Sequence, residues 1–201
     1  MRVFGKISST ETGGGIEGGT MKLSDEQKAA NKIAKQSRDR QKTIDDWKAY
    51  SLQTCVAKTA QVFQRMIRAE DGCKTRGSHV IGGVVIPVEK EIGQCVCITC
   101  GAVKPWNVKG MHTGHWIGRV HRSTLMDFDN VAPQCFSCNE KKKGAPHEYR
   151  MWMLAVRGAA VIERLERLKH QSVTWDREYL VDKRIEFNRR LKAAERWMKQ
   201  G

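Results

Sequence analysis

Two Cys-x-x-Cys pairs, Cys97-Ile-Thr-Cys100 and Cys135-Phe-Ser-Cys138, frame the stretch of this chain that carries its chemistry. In that spacing two thiolates grip one ion, and two such knuckles complete the tetrahedral all-sulfur shell of structural zinc, Zn2+. Cys95, one residue removed from Cys97, fits the knuckle spacing less well. Residues 101–134 lie between the pairs, longer than a compact zinc ribbon needs, so the loop houses something further. It holds His112-Thr-Gly-His115 and then Asp127-Phe-Asp-Asn130, and Asn139 directly follows the second knuckle. A neutral imidazole is a good general base near physiological pH. An amide can fix the loop that carries the imidazole. A hard cation takes oxygen and nitrogen ligands beside the water that the imidazole activates.

The rest of the chain supplies the framework and the surface for that site. Of 201 residues, 36 are Lys or Arg and 22 Asp or Glu, for a formal charge of +14 and an isoelectric point near 9.7. An excess of one sign on that scale calls for a polyanion, and nucleic acid is the usual one. No run approaches the length of a membrane span; residues 80–88 are apolar but short and interrupted by Gly82-Gly83, so no membrane partner is expected. No secretory pattern opens the chain, and a reducing cytosol is expected, where paired cysteines mean metal more often than disulfide. Cys55 and Cys73 have no knuckle partner and read as bystanders.

Pattern and length give an α+β chain, mainly helical. Residues 1–23 lack periodicity and are rich in Gly, Ser and Thr, so a disordered tail is expected. Met21 is a candidate native start in place of Met1, because Glu-Gly-Gly is what a purine-rich ribosome-binding site would encode if translated. Residues 24–71 form an N-terminal helical region opened by the capping box Ser24-Asp25-Glu26-Gln27. The polar run to residue 42 reads as a solvated or DNA-facing helix. Thr43 or Asp45 then caps a second helix, whose Leu52, Val56, Phe63 and Ile67 mark a buried face. Residues 72–94 read as an inserted hairpin turning at Gly82-Gly83, with Pro87 on an edge strand. Residues 95–145 hold the site, and residues 146–201 are helical again. Pro146 suits the first turn of a helix closed by Gly158, a helix over 159–170 presents Val161, Leu165 and Leu168, and Thr174 caps the last one. The stripe of Leu180, Phe187, Leu191, Ala194 and Met198 is expected to pack on the 52–67 helix, a dimer seam being the other reading.

The order Cys-x-x-Cys, Gly114-His115, Asn130, then Cys135-x-x-Cys138-Asn139-x-x-Lys142-x-Gly144 resembles a zinc-knuckle HNH, or ββα-metal, endonuclease. With Tyr149, the helix break at Gly158 and the helix over 47–70, residues 45–200 resemble the NinG (Rap) family of phage recombination nucleases, the 72–94 insertion being a departure. The knuckle-and-Asn arrangement is also similar to the phage junction-resolving endonuclease VII. The resemblance implies a small ββα-metal core with a four-cysteine zinc knuckle, flanked by N- and C-terminal helices, and a role for each matching residue. His115 corresponds to the general base. Asn130 corresponds to the residue that holds the base's loop through backbone hydrogen bonds, and Asn139 to an amide ligand of catalytic Mg2+ or Mn2+. Lys142 matches a phosphate-contacting lysine, and Lys141 and Lys143 add sequence-independent affinity. Arg119 is a candidate DNA contact; His121 reads as a surface group, the other reading being that it lines a DNA groove with Arg119 and Arg122. Many HNH enzymes carry a metal-binding Asp just before the catalytic His, where this chain has Gly114. His112 is the candidate replacement, which requires Gly114 to bend the strand, since residues three apart on a strand face opposite sides. Asp127 and Asp129 are the alternatives.

Taken as a whole, the resemblance implies hydrolysis of branched DNA such as Holliday junctions, leaving a 5′ phosphate and a 3′ hydroxyl, in the host cytosol if the chain is phage-encoded. Paired symmetric cuts imply a two-fold homodimer. Two rivals stand beside it: a zinc-knuckle DNA-binding protein without catalysis, which Gly114 and Asn139 keep open, and an HNH enzyme that nicks duplex DNA. Trp106, Trp116 and Phe136 read as small-core packing rather than base-stacking platforms.

Overall fold

The computed structural model describes residues 24–107 and 110–200. The expected disordered tail and the choice between Met1 and Met21 fall outside them. The chain divides into two compact units between Arg38 and Asp39. In the first, Ser24 caps the helix Asp25–Trp47 (α1): the Gln27 amide donates to Ser24 Oγ at 3.1 Å and Ser24 N donates to Gln27 Oε1 at 2.9 Å. Every described residue of that unit is exposed.

The second unit is α+β and mainly helical, with three two-stranded antiparallel sheets. Its frame is a helix pair, Leu52–Gly72 (α2) against Arg177–Trp197 (α6), numbered with the short helices Arg122–Leu125 (α3), Pro146–Trp152 (α4) and Ala159–Leu168 (α5) between them. Val62, Phe63, Met66 and Ala69 of α2 meet Phe187, Leu191 and Ala194 of α6, so the C-terminal stripe is used inside the chain. Arg190 clamps Glu70 with two bonds of 2.7 and 2.8 Å along this seam. Two helix starts differ from those expected. α1 continues through Thr43, whose hydroxyl bonds back to the Asp39 carbonyl at 2.8 Å, because Ile44 and Trp47 are buried in the core; Ser51 caps α2 instead. At α6 it is Asp176 that accepts the Tyr179 amide at 2.7 Å, not Thr174. In α5 the buried residues are Ile162 and Leu165, which turns the face one position away from the expected Val161 and Leu168.

The 72–94 segment is a hairpin, Arg76–Ile81 (β1) and Val84–Glu89 (β2), turning at Gly82-Gly83. Lys90 ties its base to the end of α2. The ammonium donates to the carbonyls of Asp71 at 2.8 Å and Gln94 at 2.7 Å, and to that of Lys74. Gln94–Val96 (β3) pairs with Val103–Pro105 (β4), and Met111–His115 (β5) with Val131–Cys135 (β6). A wide helical turn, Ser137–Lys141, follows β6 directly. Two-stranded sheets are marginal alone; α2 and α4 cover these, and the Tyr149 hydroxyl donates to the Gly114 carbonyl at 3.3 Å.

Candidate metal centre and adjoining cleft

β3 and β4 form a tight ribbon around the first knuckle, in which Gly101 (φ +74) donates its N–H to the Cys97 carbonyl at 2.8 Å. β6 delivers Cys135, and the wide turn after it delivers Cys138. The sulfurs of Cys97, Cys100, Cys135 and Cys138 lie within 4.8 Å of one another, with Cys100 and Cys135 at 3.7 Å. Tetrahedral zinc with bonds of about 2.3 Å puts its sulfurs about 3.8 Å apart, so the donor set fits that ion. Electrostatics agrees. Burial pushes the Cys97 thiol up, but the Thr99 hydroxyl and the backbone N–H groups of Cys135, Thr99 and Cys100 outweigh it and bring the thiol to about 7. Burial drives Cys100 and Cys138 upward instead. Four crowded sulfurs, one already poised as a thiolate, are what a dication neutralises. Cys95 lies outside the cluster with its thiol on the Arg68 carbonyl at 3.2 Å, and Cys55 is buried in the helical core.

Between β5 and β6 the loop is organised by Asn130, which is completely buried. Its Oδ1 accepts from Ile117 N at 2.6 Å, and its Nδ2 donates to the carbonyls of Ile117 at 3.0 Å and Thr124 at 2.8 Å. That fixes the backbone next to Leu125, whose carbonyl lies 3.3 Å from His115 Nε2. A carbonyl only accepts, so Nε2 carries the proton of the neutral ring and Nδ1 keeps the lone pair. Nδ1 is buried with no close hydrogen-bond partner among the described residues, although the backbone of Thr113 also acts on the ring. Burial, reinforced by the charge of Arg119, lowers the imidazole to about 4, so it is neutral at physiological pH.

Asn139 lies by His112, its Nδ2 3.2 Å from the imidazole Nδ1, and Glu140 joins them. Glu140 Oε1 is 3.3 Å from His112 Nδ1 and 2.7 Å from Asn139 Nδ2. His112 and Glu140 border a cleft of about 430 Å3 that Gln64 and Arg68 of α2 line together with Arg119. The β5–β6 ladder keeps its register through Gly114, so the expected bend is absent, and alternation sets His112 and His115 on opposite faces. Arg119 links the two places, bordering the cleft and acting on His115 by its charge. Glycine is required at 114 for a different reason: a Cβ would lie 2.0 Å from Gln134 Oε1. Asp127 and Asp129 are committed elsewhere. Arg164 grips Asp127 with bonds of 2.7 and 3.1 Å and Asp129 with one of 2.9 Å. Burial raises the Asp127 carboxyl, but the hydrogen bonds from Arg164 prevail and hold it below the usual range.

Lys141, Lys142 and Lys143 are exposed in a row after Asn139, with Lys143 in the left-handed region at φ 51. Arg119 and Arg122 are exposed across a second groove from Gln53, Gln61 and Gln64 of α2. His121 is tied to the Lys169 carbonyl at 3.0 Å. Trp106 and Trp116 pack against the core, but Phe136 does not: it is 45% exposed and meets the His112 ring edge-on at 5.5 Å. Sequence reasoning passed over Glu140 and Arg68. Glu140 had a signal, a carboxylate beside the amide that follows the knuckle. Arg68 had none, since only the fold turns it from the α2 surface onto the Trp106 carbonyl at 3.2 Å and Thr113 Oγ1 at 3.0 Å.

Among known proteins, the family model described as Bacteriophage Lambda NinG protein matches residues 85–197, more than half of the chain. No curated protein and no solved structure matches it.

Proposed function

Because the chain belongs to the family of the bacteriophage lambda NinG protein, we propose that it is a cation-dependent DNA endonuclease of phage recombination, cutting branched DNA such as Holliday junctions. The observation that carries this reading is the gathering of His112, Asn139 and Glu140 beside the four-sulfur centre, with the His115 loop pinned by Asn130. Cys97, Cys100, Cys135 and Cys138 would hold a structural zinc, which would take no part in the chemistry. His112 and Asn139 would hold Mg2+ or Mn2+, which would supply positive charge for the departing oxygen and the phosphoryl group.

The side chains do the rest. In this reading His115 is the base that takes a proton from water as the water oxygen attacks phosphorus; its Nδ1 is buried and on the strand face opposite His112, so the loop carrying Arg119 has to open for water to reach it. The bond from phosphorus to the 3′ oxygen breaks, leaving a 5′ phosphate and a 3′ hydroxyl. Arg119 and Lys141, Lys142 and Lys143 hold the phosphate backbone without reading sequence. Two symmetric cuts in a four-way junction call for a two-fold homodimer, which light scattering on the purified chain tests.

The test of catalysis is incubation of supercoiled plasmid and of a four-way junction with Mg2+ or Mn2+, wild type beside His115→Ala. Wild type should cut, and His115→Ala should lose about 100-fold or more in rate while keeping zinc and DNA binding. Binding by wild type without cleavage in either cation would make this a zinc-knuckle DNA-binding protein instead. Competition between junction and duplex of equal length decides the substrate; a preference for duplex removes the junction assignment.

A further inference from the structure

Three side chains from two elements converge here, His112 and Glu140 lining the cleft and Asn139 within hydrogen-bond reach of both, and their spacing also suits a cation. His112 Nδ1, Asn139 Nδ2 and Glu140 Oε1 are separated by 3.2, 3.3 and 2.7 Å. Ligand bonds of 2.0–2.1 Å at right angles, the octahedral habit of Mg2+, put neighbouring donor atoms about 3 Å apart. The trio therefore stands at the spacing of one face of such an octahedron. Asn139 presents its N–H to the other two groups, and a half-turn of its nearly symmetric amide presents the oxygen in the same place. Asn139 and Glu140 follow one another in the wide turn Ser137–Lys141, closed by Lys142 N on the Ser137 carbonyl at 2.9 Å, and their side chains meet at 2.7 Å.

Charge then singles out one member. An imidazole and an amide are neutral ligands, and hard divalent cations bind through carboxylates. Glu140 is the one carboxylate among the described residues lining the cleft, where Arg68 and Arg119 supply positive charge. The neighbouring strand cannot offer another at position 114, since the Gln134 amide fills the space a Cβ there would need. We infer that Glu140 is a direct ligand of the divalent cation, completing a set with His112 and Asn139 and supplying the negative charge that set otherwise lacks. The inference rests on the endonuclease reading and assigns a residue that reading did not require.

Mn2+ titration of the full chain with zinc in place, followed by the electron paramagnetic resonance of the free ion, tests it without reference to activity. Wild type should bind Mn2+, and Glu140→Gln should weaken that binding roughly 10- to 100-fold, with zinc content and melting temperature unchanged. Glu140→Asp, which keeps the charge on a shorter arm, should fall between the two. Cleavage by Glu140→Gln should recover as Mn2+ is raised. Mn2+ affinity of Glu140→Gln within about twofold of wild type overturns the assignment, whatever its cleavage rate. Should Glu140→Gln lose zinc, the comparison passes to Glu140→Ala, and wild-type Mn2+ affinity there overturns it equally. The two readings fail differently: wild type that neither binds Mn2+ nor cuts DNA sinks both, whereas wild type that cuts, with Glu140→Gln binding Mn2+ equally well, sinks only the role of Glu140.

Discussion

Replacing Asn130 by alanine tests the link between the loop and the proposed base. The side chain is completely buried and serves three backbone groups: the Ile117 N–H, the Ile117 carbonyl and the Thr124 carbonyl. A buried polar group stripped of its partner costs about 1–3 kcal/mol, and a water entering the vacated space recovers part of that. Taking the low end for each group gives a loss of about 3 kcal/mol. At roughly 2–4 °C per kcal/mol for a chain of this size, Tm should drop by about 6–12 °C. The catalytic consequence is separate. Thr124 precedes the residue whose carbonyl orients His115, so the rate should fall by about 100-fold while junction affinity holds. Asn130→Asp sharpens the test, because it keeps an acceptor for the Ile117 N–H but turns a second oxygen toward the two carbonyls. That carboxylate is pushed to protonate, its folded-state pKa above the unfolded value, so the variant should lose stability as pH rises above about 4. Thermal melts by circular dichroism and single-turnover cleavage on zinc-loaded protein are the assays. Asn130→Ala melting within about 2 °C of wild type, or cutting at the wild-type rate, would refute the reasoning.

Cys135→Ser should lose zinc and the near-native circular dichroism of the central region, since binding of a structural zinc is folding free energy on the order of 10 kcal/mol, whereas Cys55→Ser should keep the ion; a full complement of zinc in Cys135→Ser argues against the four-sulfur centre. The pH dependence of stability should carry the signature of His115, whose folded value of about 4 lies below the ordinary 6.5. Between those values the unfolded chain binds a proton that the folded chain refuses, so stability falls as pH drops from about 6.5 toward 4, by about 3 kcal/mol in all. His115→Asn should flatten that portion of the Tm profile, and an unchanged slope counts against a buried neutral imidazole.

The parts legible in the sequence are those whose signal is local. Knuckle spacing picked out the four of seven cysteines whose sulfurs the fold gathers, the capping box at Ser24 closes as read, and Gly82-Gly83 turns the hairpin. The α2–α6 seam was visible because a helical stripe survives over twenty residues whatever its partner. What failed depended on tertiary choice. Thr43 and Thr174 are both respectable caps, and only the burial of Ile44 and Trp47 in one case, and the competing Asp176 in the other, decide against them. Phe136 looked like core and is exposed because the cysteine before it turns inward to the sulfur cluster. Gly114 looked like a hinge, yet its role is to make room for Gln134, a contact across the ladder that no spacing rule displays.

That contact ties the four-sulfur cluster to the cleft. β6 carries Cys135 opposite Met111 and Gln134 opposite His112, so the strand that donates a sulfur also sets the height of the imidazole. Gln134 then bonds the Gly144 carbonyl at 2.8 Å, closing the turn that holds Cys138 and, in the next two positions, Asn139 and Glu140. A two-stranded sheet and a single helical turn have too little apolar area to fix three side chains to within a few tenths of an ångström. An ion gripping Cys135 and Cys138 supplies that constraint from the residue immediately before Asn139. A metal held by the four sulfurs would therefore steady the distances on which the proposed chemistry depends, and its removal should abolish cation binding in the cleft before it abolishes the helical frame of α2 and α6.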